Sequence, residues 1–276
     1  MTRPYLSIDL DKIERNTAAI TRLCGRHGIA VAGVTKCVCG HPQVARAMLR
    51  GGVVSLADSR LENIDRLRGA GIEADCLLLR LPALSGAAQV VESADWSVNS
   101  ELAVLQALSR AAIQHRRVHQ VMLMVDLGDL REGIWPDDLL ALAAQAIRLP
   151  GIRIVGLGTN LACFSGVVPS EHNMQRLVEL AEALEQRLAL RLDWVSGVNS
   201  SGLELIASGL MAGGALMGVF DGIVNAVIRY TAGGATRWRR KAASRSTRGL
   251  YNAGACGKPA KSAHSARSRS RADLAK

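Results

Sequence analysis

Short apolar runs alternate seven times with longer stretches of helical periodicity along the first 200 residues. The runs are apolar throughout rather than alternately apolar and polar, which is typical of parallel strands buried on both faces. The seven predicted strands are residues 31–36, 53–57, 76–81, 96–98, 118–127, 152–157 and 192–196. A chain that repeats strand and helix in this way forms a parallel sheet covered by helices.

The even spacing of these units favours a closed α/β barrel of the (β/α)8 TIM type over an open, doubly wound sheet. The chain has 276 residues, which suits one barrel-sized domain with an appendage. A dinucleotide-binding fold is disfavoured because no Gly-x-Gly-x-x-Gly segment follows an early strand. We also expect a short strand at residues 5–10 and a helix after it that is capped by Asp11. Residues 215–220 are the candidate for the eighth strand.

Polar residues that are unusual for a barrel wall stand at the carboxyl ends of the predicted strands. They are Lys36, Asp58, Asn99, Arg131, Asn160, Ser200 and Ser201. In a parallel barrel these ends form one rim, and barrel active sites are built on that rim. Each of the Ser and Asn residues alone is also an ordinary turn residue, so the prediction of a site depends on the whole set.

Lys36 is the most informative member of this set. A lysine that ends a buried strand is costly to desolvate unless it has a partner or a task, and burial makes a lysine amine a better nucleophile towards carbonyl groups. The alternative is an ordinary lysine whose ammonium reaches water. The run Ser200-Ser201-Gly202 follows the seventh strand, where barrels often bind a phosphate group. Lys36 and this serine run together predict that the rim binds a phosphate-bearing carbonyl compound as a Schiff base.

The charge of the chain is concentrated at its carboxyl end. The net charge is +10, but residues 229–276 contain 13 of the 34 Lys and Arg residues and only Asp273 of the 24 acidic residues. That segment carries +12 and the first 228 residues carry −2, so the high isoelectric point does not describe the globular part. We therefore expect no nucleic-acid partner for the barrel.

The cysteines and the amino terminus indicate a cytoplasmic protein with reduced thiols. Six cysteines in a chain of this length do not form a disulfide framework. The first five residues lack the apolar core of a signal peptide. A metal site at Cys37, Cys39 and His41 is an alternative, but no second Cys/His cluster completes four ligands, so we predict no metal.

Five segments, in order, resemble the alanine/ornithine racemase family, and the resemblance extends over about residues 4 to 210. The ornithine racemase branch is the most similar. The segments are Gly33-Val34-Thr35-Lys36, Ala57-Asp58-Ser59-Arg60-Leu61-Glu62-Asn63, Asp126-Leu127-Gly128-Asp129-Leu130-Arg131-Glu132-Gly133, Gly158-Thr159-Asn160-Leu161 and Ser196-Gly197-Val198-Asn199-Ser200-Ser201.

The resemblance implies a pyridoxal 5′-phosphate enzyme of the alanine racemase fold (fold type III), which racemises an ornithine-like or alanine-like amino acid. It implies that Lys36 forms a Schiff base with the cofactor and moves the substrate Cα proton. Arg131 would lie near the cofactor ring, Asn160 would line the cofactor face, and Ser200 or Ser201 would bind the phosphate. A second proton donor, a tyrosine from the partner subunit's carboxyl-terminal domain in alanine racemases, has no counterpart that we can place.

The resemblance ends near residue 209. The family's eighth strand carries an arginine that faces the pyridine nitrogen, whereas residues 210–221 contain none. The predicted organisation is a cofactor-binding barrel at 1–209, a degenerate barrel-closing segment at 210–228 and a basic, disordered tail at 229–276. Family members form dimers through a carboxyl-terminal β-domain, so a homodimer is an expectation that depends on that domain.

Three interpretations of the carboxyl-terminal segment stand beside one another. The nearly uncharged run at residues 210–228 superficially suggests a membrane anchor, but four glycines, Asn225 and the central Asp221 argue against it. The basic runs are compatible with a tail that binds RNA. The third interpretation is a change of reading frame, which we favour because the family motifs and the strand–helix pattern both end near residue 209. For the whole chain, the alternative to a racemase is a non-catalytic barrel that binds pyridoxal phosphate in cofactor homeostasis.

Overall fold

Seven parallel strands form the wall of a barrel, and the first six are each followed in the chain by helical structure. The computed structural model describes residues 7–161, 167–199, 218–219 and 225–229. Each strand pairs with the next one along the chain, from β1 to β7. The strands are β1 (Ile29–Val34), β2 (Ser55–Asp58), β3 (Cys76–Leu78), β4 (Trp96–Asn99), β5 (His119–Met124), β6 (Ile152–Gly158) and β7 (Trp194–Ser196). The predicted order of strands and the barrel class are confirmed.

The strand that closes the barrel runs against the others. Three short strands follow β7, namely β8 (Val198–Asn199), β9 (Gly218–Val219) and β10 (Asn225–Arg229). β10 lies between β7 and β1 and is antiparallel to both, with Ile29 opposite Ile228 and Val195 opposite the same residue. The sheet is thereby joined into a ring. The segment expected to close it, residues 215–220, contributes β9, which pairs with β8 and β10 instead.

Seven α-helices of the described residues cover the outside of the barrel. They are α1 (Leu10–Gly25), α2 (Pro42–Arg50), α3 (Leu61–Gly69), α4 (Ala87–Ser93), α5 (Leu102–Gln114), α6 (Leu139–Ala146) and α7 (Glu171–Leu188). α1 is capped by Asp9, whose side chain accepts a hydrogen bond from the Lys12 backbone N–H, and not by the predicted Asp11. Residues 7–9 precede it without forming the strand predicted at 5–10. Ser170 and Asn173 cap α7 reciprocally.

The barrel interior is filled by side chains rather than open. Trp96 and Trp194 are the first residues of β4 and β7, and their ring centroids lie 5.9 Å apart. Because two strands separate β4 from β7 in the sheet, the indoles can meet only across the interior. Gly156 on β6 lets the β7 backbone approach closely at Trp194, since a Cβ there would lie 2.6 Å from the Trp194 carbonyl oxygen. The amino ends of the strands are thus packed, and the carboxyl ends remain for a site.

The membrane-anchor interpretation concerns residues 210–228, of which only 218–219 and 225–228 are described. Among the helices of the described ranges, none is both long and apolar enough to cross a bilayer. The predicted tail, apart from Arg229 at the end of β10, also lies outside the described residues.

Candidate active site

Lys36 stands where β1 ends. β1 is buried at five of its six residues, and Thr35, which follows it, is fully buried. Lys36 then begins a short 3-10 turn, Lys36–Val38, and is itself half-buried. The predicted position at the carboxyl end of a buried strand is therefore what the structure shows. An amine there is partly desolvated but still reachable by a small molecule.

The turn that carries Lys36 is tied down by its backbone. The Thr35 carbonyl oxygen accepts hydrogen bonds from the N–H groups of Val38 and Gly40, each at 3.1 Å. Gly40 has a φ of +64°, and a Cβ at that position would lie 2.7 Å from the Asn63 carbonyl oxygen. Only glycine suits both the angle and the space. The Arg66 guanidinium donates a further hydrogen bond to the Cys39 carbonyl oxygen.

Arg131 lies on a loop that Asp126 organises. The Asp126 Oδ1 atom accepts hydrogen bonds from the backbone N–H groups of Gly128 (2.7 Å) and Leu130 (3.3 Å). Arg131 then contacts two carboxylates, with Nη2 2.7 Å from Glu132 Oε1 and Nε 3.5 Å from Asp129 Oδ2. The Arg131 side chain is 36% exposed, so its guanidinium is oriented by these partners without being buried.

Asn160 and Arg131 meet at a residue that the sequence did not single out. Asn160 comes two residues after β6, and its side-chain amide donates a hydrogen bond to Glu132 Oε1. That oxygen also contacts Arg131 Nη2, so Glu132 joins the two predicted residues into one group. The sequence offered only a weak signal for Glu132, namely its position next to Arg131 in a segment shared with the racemase family.

Two of the predicted rim residues have hydrogen-bond partners outside that group. The Asp58 carboxylate is fully buried and bonds to Thr35 and Asn63. The Asn99 amide nitrogen donates to the carbonyl and hydroxyl oxygens of Ser97. Ser200 and Ser201, the predicted phosphate ligands, lie outside the described residues, so their role stays a prediction.

A buried serine–histidine pair adjoins Asn99. Ser97 Oγ and His119 Nε2 are 2.8 Å apart, and the His119 side chain is almost completely buried. Burial disfavours the charged imidazolium and lowers the His119 pKa from 6.5 to about 4, a shift that the nearby Asp95 carboxylate only partly opposes. His119 begins β5, whereas Lys36 follows the opposite, carboxyl end of β1. This pair therefore belongs to the structure of the wall, not to the rim.

Cys37, Cys39 and His41 near Lys36 were the alternative candidates for a metal site. In the part of the chain that the structure describes, no three His, Cys, Asp or Glu side chains are grouped so as to hold a metal ion. Cys37 and Cys39 are exposed thiols, and Cys24 and Cys76 are buried ones. Burial raises the pKa of each buried thiol to about 11.

Comparison with known proteins agrees with the geometry. A family profile described as "Alanine racemase, N-terminal domain" matches residues 8–217. An ornithine racemase of Acetoanaerobium sticklandii is 39% identical over 207 residues, and a lysine racemase of Thermotoga maritima is 34% identical over 209 residues. These alignments cover 75% and 76% of the chain, and the chain spans 58% of the length of each relative.

One solved structure shares the fold over nearly its whole length. PipY of Synechococcus elongatus, solved with pyridoxal phosphate bound, superposes with a TM-score of 0.61 at 22% identity. The match covers 74% of this chain and 96% of PipY. At this identity the likeness shows the barrel fold alone.

Proposed function

Since the chain belongs to the alanine racemase N-terminal domain family, we propose that it is a pyridoxal 5′-phosphate-dependent amino-acid racemase, an isomerase that interconverts L- and D-amino acids. The observation that carries the proposal is the position of Lys36, a half-buried amine on a fixed turn at the carboxyl end of β1. Arg131 and Asn160 follow neighbouring strands of the same rim.

The donors of the rim fit this cofactor. Lys36 supplies the primary amine that covalent binding of an aldehyde requires. Arg131, held by Asp129 and Glu132, supplies an oriented cation for the ring and its phenolic oxygen. Asn160, held by Glu132, supplies an amide at the cofactor face. Ser200 or Ser201 would bind the phosphate.

Each residue then has one task in the reaction. When bound, the cofactor withdraws electrons from the substrate Cα and acidifies its proton. Lys36 Nζ takes that proton and can return one, acting as general base and acid. Arg131 stays fixed in direction by its two carboxylate partners, and Glu132 keeps Asn160 in place while substrate enters and leaves. Racemisation also needs a proton donor on the face opposite Lys36.

The substrate we propose is an α-amino acid of the ornithine or alanine type. The two relatives with the highest identity given above are named for ornithine and lysine, which share a cationic side chain. Purified protein should therefore be given L-ornithine, L-lysine and L-alanine in turn. Loss of optical rotation, followed with time, measures racemisation of each.

The test of cofactor binding uses the two lysines that the structure describes. Protein mixed with pyridoxal phosphate should develop visible absorbance, and borohydride should trap the cofactor on Lys36, identified by peptide mass mapping. Lys36→Ala should abolish both signals. Lys12→Ala is the matched control, because Lys12 is 72% exposed on α1 and paired with Asp9. Equal signals in wild type and Lys36→Ala would refute the assignment.

A second candidate function is a barrel that binds the cofactor without racemising amino acids. It is motivated by PipY, a barrel of the same fold that was solved with pyridoxal phosphate bound. Trapping of pyridoxal phosphate at Lys36 without any change in optical rotation for the three amino acids supports this candidate. Racemisation of any one of them excludes it.

A further inference from the structure

The carboxylate of Asp58 is placed where an apolar residue would be expected. Asp58 is the last residue of β2 and is fully buried. Its two oxygens accept hydrogen bonds from neutral groups: Oδ2 from the Thr35 hydroxyl at 2.7 Å, and Oδ1 from the Arg60 backbone N–H at 3.1 Å and the Asn63 amide at 2.9 Å. These hydrogen bonds offset the cost of burying the carboxylate, and a fully satisfied network of this kind restricts the motion of its members.

One of these bonds fixes the residue that precedes Lys36. The Thr35 N–H donates to the Ala57 carbonyl oxygen at 2.9 Å, which continues the pairing of β1 with β2. The Thr35 carbonyl oxygen closes the turn, as described above. With the hydroxyl bound to Asp58, every polar atom of Thr35 is held. The backbone that carries the Lys36 side chain has therefore little freedom to rotate.

The other oxygen of Asp58 fixes the far end of the same turn. Its partner Asn63 is buried, with 6% of its surface exposed, and packs directly against Gly40. The bond from the Asn63 amide to Asp58 Oδ1 ties the first turn of α3 to the end of β2, and the Asn63 carbonyl oxygen and Cβ lie against Gly40. The carboxylate thus holds the residues on both sides of Lys36, through Thr35 on one side and Asn63 on the other.

We infer that Asp58 is a positioning residue for Lys36, acting through the Thr35 hydroxyl and the Asn63 amide. The inference rests on the proposed function, in which Lys36 binds the cofactor. Without either bond the turn is looser and the Lys36 amine spends less time in the orientation that reacts. Reactions that depend on such orientation slow by about 10- to 100-fold when it is lost.

The experiment compares variants at Thr35, because they alter the bond with little change of volume. Thr35→Val removes the hydroxyl and Thr35→Ser keeps it. Thr17→Val is the matched control, because Thr17 is fully buried and its hydroxyl has no hydrogen-bond partner among the described residues. The rate of pyridoxal phosphate capture is followed by visible absorbance on cofactor-free protein. Labelling of Lys36 by trinitrobenzenesulfonate, mapped by mass spectrometry, is measured separately without cofactor.

Thr35→Val should capture the cofactor about 10-fold or more slowly, and its Lys36 should be labelled faster than in wild type because the amine is less constrained. Thr35→Ser and Thr17→Val should stay within about twofold of wild type on both measurements. Thr35→Val that matches wild type in both measurements overturns the inference.

If Thr35→Val does not fold, Asn63→Ala releases the other end of the turn and should slow cofactor capture to the same extent. An unchanged rate in Asn63→Ala also overturns it. Absence of capture by wild-type protein refutes the proposed function instead.

Discussion

Replacing His119 by glutamine should make the stability of the barrel less dependent on pH. His119 is neutral and buried in the folded protein, with its pKa lowered to about 4, whereas in the unfolded chain the imidazole has its ordinary pKa of 6.5. The folded state therefore binds fewer protons than the unfolded state at every pH between these two values. Stability from this group is complete above pH 6.5, is lost as the pH falls, and is lost fully below pH 4.

The magnitude follows from the size of the shift. Between pH 7 and pH 5 the unfolded imidazole gains about three-quarters of a proton and the folded one gains about a tenth, which destabilises the fold by about 2 kcal/mol. The full loss below pH 4 is about 3 kcal/mol. Acidic side chains contribute their own pH dependence, but wild type and variant share it. The difference between the two proteins isolates His119.

Urea unfolding followed by circular dichroism at pH 5, 6 and 7 measures this difference. The free energy of unfolding of wild type should fall by about 2 kcal/mol more than that of His119→Gln between pH 7 and pH 5. His172→Gln is the control, since His172 is exposed on α7, and it should follow the wild-type curve. Parallel curves for wild type and His119→Gln would show that His119 is protonated as readily in the fold as in the unfolded chain.

Two further predictions concern the cysteines and the interior glycines. Thiol reagents applied to native protein should modify the exposed Cys37 and Cys39. They should spare the buried Cys24 and Cys76, whose pKa values are about 11, until urea is added. Peptide mapping that finds equal modification of all four would contradict the burial. Gly156→Ala should lower the free energy of unfolding by about 1–3 kcal/mol, because its Cβ would meet the Trp194 carbonyl oxygen at 2.6 Å and Met122 Cε at 2.9 Å. Gly69→Ala, at the end of α3, is the control, because the added Cβ would have nothing within 4 Å. It should leave the free energy of unfolding unchanged or raise it by up to about 1 kcal/mol in the same urea titration. Equal losses for both variants would contradict the packing around Gly156.

The order of strands and helices was predictable because the strands are short and mostly apolar on both faces, and longer stretches of helical periodicity separate them. The side-chain direction of the strand-end residues could not be predicted from these apolar runs. Both faces of these strands are buried, so no alternation shows whether Asp58 or Asn99 faces the interior or the helices. The structure shows both in hydrogen-bonded networks away from the Arg131–Glu132–Asn160 group.

Other features depended on loop conformation or on strand direction, which sequence pattern does not carry. Glu132 joins Arg131 to Asn160 only because Asp126 folds the loop after β5. The cap of α1 is Asp9 and not Asp11, since the capping side chain must stand just outside the first helical turn. The residue composition of β10 does not indicate that it runs antiparallel to its neighbours.

The contact between Trp96 and Trp194 has a kinetic consequence. The two indoles occupy the interior at the amino ends of the strands, so a small molecule bound at the carboxyl-end rim must leave along the path by which it arrived. An inhibitor seated over the rim should accordingly slow the exchange of a bound cofactor as well as block the substrate.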